Sequence, residues 1–151
     1  MTVVQRRVAV GGILVLAAGA RLWGLADYPP GLYPDQAANG EDVLEILEGK
    51  LQVFSPRNNG RESFLFYVQA LTVGLFGLGV WQLFLASAIV GIVTVAVAYL
   101  AGARLFGPRP ALLAALFLAT NPWHVTLSRT GFRAVTTPLL LSCALWSIAC
   151  V

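Results

Sequence analysis

All seven acidic side chains of this chain, Asp27, Asp35, Glu41, Asp42, Glu45, Glu48 and Glu62, fall between positions 27 and 62. A second polar stretch, Asn121 to Arg133, carries His124, Ser128, Arg129 and Arg133. Carboxylates take a proton from a hydroxyl or hold a metal ion. Guanidinium groups neutralise phosphate through paired hydrogen bonds. Brought to one membrane face, the two stretches suit group transfer from a lipid phosphate. The competing reading is a charged loop that solvates the membrane surface and pairs its own ions.

What surrounds these stretches is apolar. Of 151 residues, 58% are hydrophobic and only 11% charged, and the mean hydropathy is +0.76. Soluble domains carry about a quarter charged residues, so the composition marks a membrane protein. The net charge of +3 is scattered, with no basic run interleaved with aromatics, which excludes a nucleic-acid groove. Cys143 and Cys150 share the last apolar run. Seven positions on a helix separate them by roughly 10 Å of rise, too far to bridge, so both are expected as free thiols.

The predicted architecture is all-α, a polytopic membrane helix bundle with amphipathic juxtamembrane helices in its first extracytoplasmic loop. A first span covers about 8–25, preceded by Arg6-Arg7 and closed at the far interface by Arg21 and Trp23. About 20 apolar residues cross the hydrocarbon core. A cleaved signal peptide competes, because Ala18-Gly19-Ala20 resembles a cleavage site; the arginine pair alone is too weak a signal for twin-arginine export. Pro29-Pro30-Gly31 then stops any helix, and Pro34-Asp35 starts a surface helix over about 35–48. It gathers Val43, Leu44 and Leu47 on one side and Glu41, Glu45 and Glu48 on another, and ends at Gly49. Ser55 to Gly60 is a turn-rich break. The run 63–80 is long enough to cross, yet Gln69 interrupts it and Gly74, Gly77 and Gly79 crowd its end, so a second surface helix over about 63–79 competes. Further spans follow at about 83–106, 111–123 and 134–151. The last run is apolar to the terminus, without cap or basic anchor, as expected of an amino-terminal piece of a longer protein whose carboxy-terminal remainder is missing.

Counting cations does not choose between these topologies. If 63–80 stays on the surface, Arg6, Arg7, Arg104 and Arg109 share the cytoplasmic side; if it crosses, Arg6, Arg7, Arg129 and Arg133 do. The tight basic turn Phe106-Gly107-Pro108-Arg109-Pro110 favours the first arrangement. It returns the Asn121–Arg133 connector to the side of the acidic loop.

The order of motifs also resembles a family. An amino-terminal span precedes Tyr33-Pro34-Asp35-Gln36, then come Gly60-Arg61-Glu62-Ser63 before an aromatic-rich helix, a span closed by Ala103-Arg104-Leu105-Phe106-Gly107, Asn121-Pro122-Trp123-His124-Val125, and Ser128-Arg129-Thr130-Gly131-Phe132-Arg133. This is similar to the amino-terminal part of the polyprenyl-phosphate-sugar-dependent glycosyltransferases of the integral-membrane C-type fold, the superfamily of protein O-mannosyltransferases and lipid A aminoarabinose transferases. No single motif is specific; their order and spacing carry the resemblance, which covers nearly the whole chain and makes 63–80 a surface helix.

The resemblance implies that Asp35 is the general base of an inverting transfer, with a helix cap as its structural alternative. It implies that Glu62 opens the second surface helix and in some relatives helps bind a metal, against a salt bridge with Arg61 or Lys50. Arg61 joins Glu62 in the expected substrate-binding set. Arg129 and Arg133 are its phosphate candidates, with interfacial anchoring as the alternative, and His124, beside Trp123, completes the set against an ordinary interfacial role. Many relatives place an Asp after the Ser-Arg pair; Thr130-Gly131-Phe132-Arg133 has none, so no metal is expected, a divalent ion staying open. The implied donor is a polyprenyl-phosphate sugar, hexosyl or pentosyl, and the acceptor a protein, lipid or glycan. The implied location is the plasma (inner) membrane, with the active loop extracytoplasmic and the isolated piece inactive. A transporter or flippase-like protein for lipid-linked sugars, and a small structural membrane subunit, are the alternatives.

Overall fold

A computed structural model describes residues 1–28, 30–57 and 60–150. Pro29 of the first predicted stop, Asn58 and Asn59 of the turn-rich break and Val151 of the last run lie outside the described residues. Among those described, seven helices and one two-residue hairpin form an α-helical bundle. Two helices are long and apolar enough to cross a membrane. The first, α1 (Val3–Leu22), starts at a capping box in which Gln5 N donates to Thr2 Oγ1 and Gln5 Oε1 accepts from Thr2 N. The second, α4 (Val80–Leu105), is the central helix; its 26 residues rise about 39 Å. The two run antiparallel, so that Ala17 near the end of α1 packs with Val95 of α4 while Arg6 and Arg7 lie beside Arg104.

Between them the chain folds back on itself. Helix α2 (Pro34–Leu47) packs on α3 (Phe64–Phe76), and α3 packs on α4. With 13 residues, α3 is about 20 Å long, shorter than a hydrocarbon core of about 30 Å. Gly77, at φ +85°, ends it, and the chain turns into α4. A core of Leu25, Val43, Phe66, Val73 and Phe84 fills the space between the loop helices and α4. Helix α5 (Pro108–Thr120) lies against α4 on Ala111, Ala115 and Ala119, all buried. Small side chains at every fourth position let the two backbones approach closely, and Ala111 meets α4 at Gly102. Helix α7 (Thr136–Ile148) follows a 3-10 turn at Arg133–Val135 and also packs on α4.

The structure departs from the sequence reading in four places. The connector from Asn121 to Arg133 is itself helical: α6 (Pro122–Arg129) meets α5 at a 55° bend. Asn121 Oδ1 accepts from His124 N at 3.0 Å and Pro122 occupies the first turn, so the Asn-Pro pair starts a helix. The inward face of α2 is Gln36, Asn39, Asp42, Val43 and Ile46, whereas Leu44 and Leu47 are exposed: Val43 and Ile46 join the apolar core, and Gln36, Asn39 and Asp42 meet polar partners. The break at 55–60 is bracketed by a hairpin, β1 (Phe54–Ser55) pairing antiparallel with β2 (Arg61–Glu62). Gly60, at φ +88°, is required there: a Cβ would collide with the Phe54 ring. Finally, Arg21, expected at the far interface, is fully buried among the helices.

Candidate functional site

The two polar stretches meet at one end of the bundle. Gln36 Nε2 donates to the Thr130 carbonyl at 2.6 Å, and Asn39 Nδ2 donates to that of Gly131 at 3.3 Å. Gln36 Oε1 also accepts from Tyr33 N at 2.9 Å, closing the first turn of α2. The helix that begins the acidic loop is therefore bolted to the turn between α6 and α7, one residue after Asp35. Asp35 itself lies exposed in that first turn. A second link joins the stretches, a 2.6 Å ion pair between Arg133 and Glu62, both partly exposed. Glu62 thus reaches across to the other loop, while Lys50 pairs with Glu48 at 3.4 Å.

Arg61 and Asp42 lie behind this surface, at 3% and 1% exposure. The Arg61 guanidinium donates to Asp42 Oδ2 at 2.7 Å and to Asn39 Oδ1, and stacks over Phe66 at 5.1 Å. Asp42 Oδ1 accepts from Ser55 Oγ at 3.0 Å and Arg57 at 3.1 Å. Arg57 also donates to Glu45 at 2.6 Å. That bond first, then the charges of Glu45, Asp42 and Glu41, hold the Arg57 guanidinium above its ordinary range against some desolvation. This network staples β1 and β2 to α2.

Arg129 is occupied by backbone. Its Nη1 donates to the carbonyls of Ala20, Arg21 and Trp23, and its Nη2 to those of Gly24 and Tyr28. These include orphan acceptors at the end of α1. The guanidinium is a C-terminal cap supplied in trans. His124 is likewise buried, with Nδ1 2.7 Å from Arg21 Nη2. Arginine has no acceptor, so Nδ1 accepts and the ring proton sits on Nε2. Arg21 further donates to the carbonyls of Ala17 and Ala119 at 3.0 Å and to Ser128 Oγ at 3.3 Å. Ser87 Oγ donates to the Ser128 carbonyl and accepts from Gly131 N. A continuous polar chain therefore runs from Arg21 through Ser128, Ser87 and Gly131 to Asn39 and Arg61. Gly91 makes room for it, since a Cβ there would overlap Ser128 Oγ.

Sequence reasoning missed Arg21, Gln36, Asn39, Asp42 and Ser87. The signal for Arg21 was available, because an arginine inside an apolar helix needs partners within the bundle. For Gln36, Asn39 and Asp42 it was a polar stripe at three-residue spacing. Among the described residues no group of three His, Cys, Asp or Glu side chains is placed to hold a metal ion; Glu41, Asp42 and Glu45 gather instead around Arg57.

The family model described as dolichyl-phosphate-mannose-protein mannosyltransferase matches residues 63–151, more than half of the chain and all of α3 to α7. The chain belongs to that family. Membership makes it a mannosyltransferase-like glycosyltransferase of the membrane and implies, in general, a lipid-linked sugar donor and a protein acceptor. The mannosyltransferase match includes His124, Arg129 and Arg133 and begins just after Arg61 and Glu62, with Asp35 further upstream. No curated protein and no solved structure matches the chain.

Proposed function

We propose that this chain provides the catalytic loop of an inverting glycosyltransferase that moves a sugar from a polyprenyl phosphate to an extracytoplasmic acceptor, with Asp35 as general base. The observation that carries the reading is the docking of α2: Gln36 and Asn39 bind the carbonyls of Thr130 and Gly131. Asp35 is thereby held on a fixed helix, exposed, where the two loops join. In the reaction the acceptor hydroxyl oxygen attacks the anomeric carbon and gives its proton to the Asp35 carboxylate. The bond from that carbon to the phosphate oxygen breaks, and polyprenyl phosphate leaves with the electron pair.

Arg133 is the arginine best suited to receive that phosphate. Its pair with Glu62 is 39% and 54% exposed, and such surface pairs stabilise by only about 0–1 kcal/mol, so an incoming phosphate competes easily. The Arg61–Asp42 pair is buried, and breaking a buried pair costs about 3–5 kcal/mol. Arg61, Arg129 and His124 serve the substrate by holding the frame. The end of the bundle bearing Asp35 faces the extracytoplasmic side of the plasma membrane. The test is sugar transfer by the full-length protein in proteoliposomes offered a panel of polyprenyl-phosphate sugars. Turnover with at least one donor, lost in Asp35→Asn, is the expected result; no turnover with any donor would overturn the reading.

A further inference from the structure

The far end of the bundle holds a different feature. Arg6 and Arg7 from α1 and Arg104 from α4 border a cavity of about 510 Å³, with Tyr99 of α4 and Trp146 of α7 also on its wall. Among the described residues none of these three arginines forms an ion pair. Every acidic residue lies in the loop at the opposite end. Three cationic side chains from two helices thus border one space with no carboxylate paired to them among the described residues, and a bound anion would relieve their mutual repulsion.

The remaining wall tells which anion. Val10, Leu100 and Ala103 line the same cavity, and Trp146 is 39% exposed, as an aromatic at a membrane interface is. Charged heads beside an apolar wall match a phosphate carrying acyl chains, and basic clefts between membrane helices are suited to such headgroups. We infer that this cavity is a binding site for the phosphate of an anionic phospholipid in the leaflet opposite the transfer site. Arg6, Arg7 and Arg104 are its ligands, while Arg109, at the same end but outside the cavity lining, is not.

The test is lipid retention by the full-length protein in nanodiscs of phosphatidylcholine doped with phosphatidylglycerol, read by native mass spectrometry. Wild type should retain phosphatidylglycerol preferentially, with retention about fivefold weaker for each of Arg6→Gln, Arg7→Gln or Arg104→Gln. Arg109→Gln should match wild type, and Arg104→Lys, which keeps the charge, should keep most of the retention. No preference in wild type, or an equal loss in Arg109→Gln, overturns the site. An Arg104→Lys loss as large as that of Arg104→Gln would assign the effect to packing and also overturn it. Displacement by soluble glycerol phosphate as readily as by the lipid would place recognition in the headgroup alone and overturn the lipid assignment.

Discussion

Arg133 and Glu62 show how a pair of residues can be both structural and available. Their ion pair links the two loops at 2.6 Å, yet both side chains remain in contact with solvent. Arg133→Gln removes a charge-assisted hydrogen-bond donor worth about 1.5–3 kcal/mol, so donor affinity should fall at least about tenfold in equilibrium binding of the polyprenyl-phosphate sugar. Glu62→Gln releases Arg133 and should leave donor affinity unchanged or tighter; a tenfold weakening there would make Glu62 itself a donor ligand. The sequence displayed both charges but not their pairing, because the partners are 71 positions apart. It also could not separate Arg133 from Arg129. What distinguishes them is the set of α1 carbonyls that converge on Arg129, and that depends on how α1 and α6 pack.

Among the elements, α2 depends most on polar contacts. Its inward face carries Gln36, Asn39 and Asp42, and Asp42 is held by Arg61, Arg57 and Ser55 together. Asp42→Asn leaves Arg61 buried without its counter-charge, at a cost of about 3–5 kcal/mol; thermal unfolding in detergent should show a clear loss, localised by faster hydrogen exchange across α2. An unchanged melt would mean that the network contributes nothing to the loop. Gly91→Ala should also destabilise, by about 1–3 kcal/mol, since the methyl group overlaps Ser128 Oγ and pushes α6 from α4. The long apolar helices were legible from hydropathy because α1 and α4 each place a nearly unbroken apolar run in a span. Helix α6 was not: Asn121-Pro122 breaks α5 and caps the next helix at once, whereas the sequence reading carried a span through it to Trp123 and left 121–133 as a connector. Strands of two residues, as in β1 and β2, are shorter than any periodicity can register.

At the scale of the whole molecule, charge is divided between two ends. Arg6, Arg7 and Arg104 share one cavity, and the acids share the loop that meets Arg133 at the other end. The cation count of the sequence was tied because it could not say whether α3 crosses; a 13-residue helix docked on α2 and α4 groups Arg104 with Arg6 and Arg7. On the proposed function, which puts the transfer site outside, the cavity end faces the cytoplasm. In a background lacking Cys143 and Cys150, an impermeant maleimide applied to intact cells should label Lys50→Cys and spare Arg109→Cys until the membrane is opened; the reverse pattern would invert the orientation. The central claim, that Asp35 performs the proton transfer at the joined loops, is tested most directly by comparing turnover and donor binding of the full-length protein with those of Asp35→Asn at matched expression. A general base contributes about 10²–10⁴-fold, so turnover should drop by that factor while donor affinity stays within about twofold of wild type. Turnover equal to wild type would contradict the account and return Asp35 to the role of a residue in the first turn of a helix.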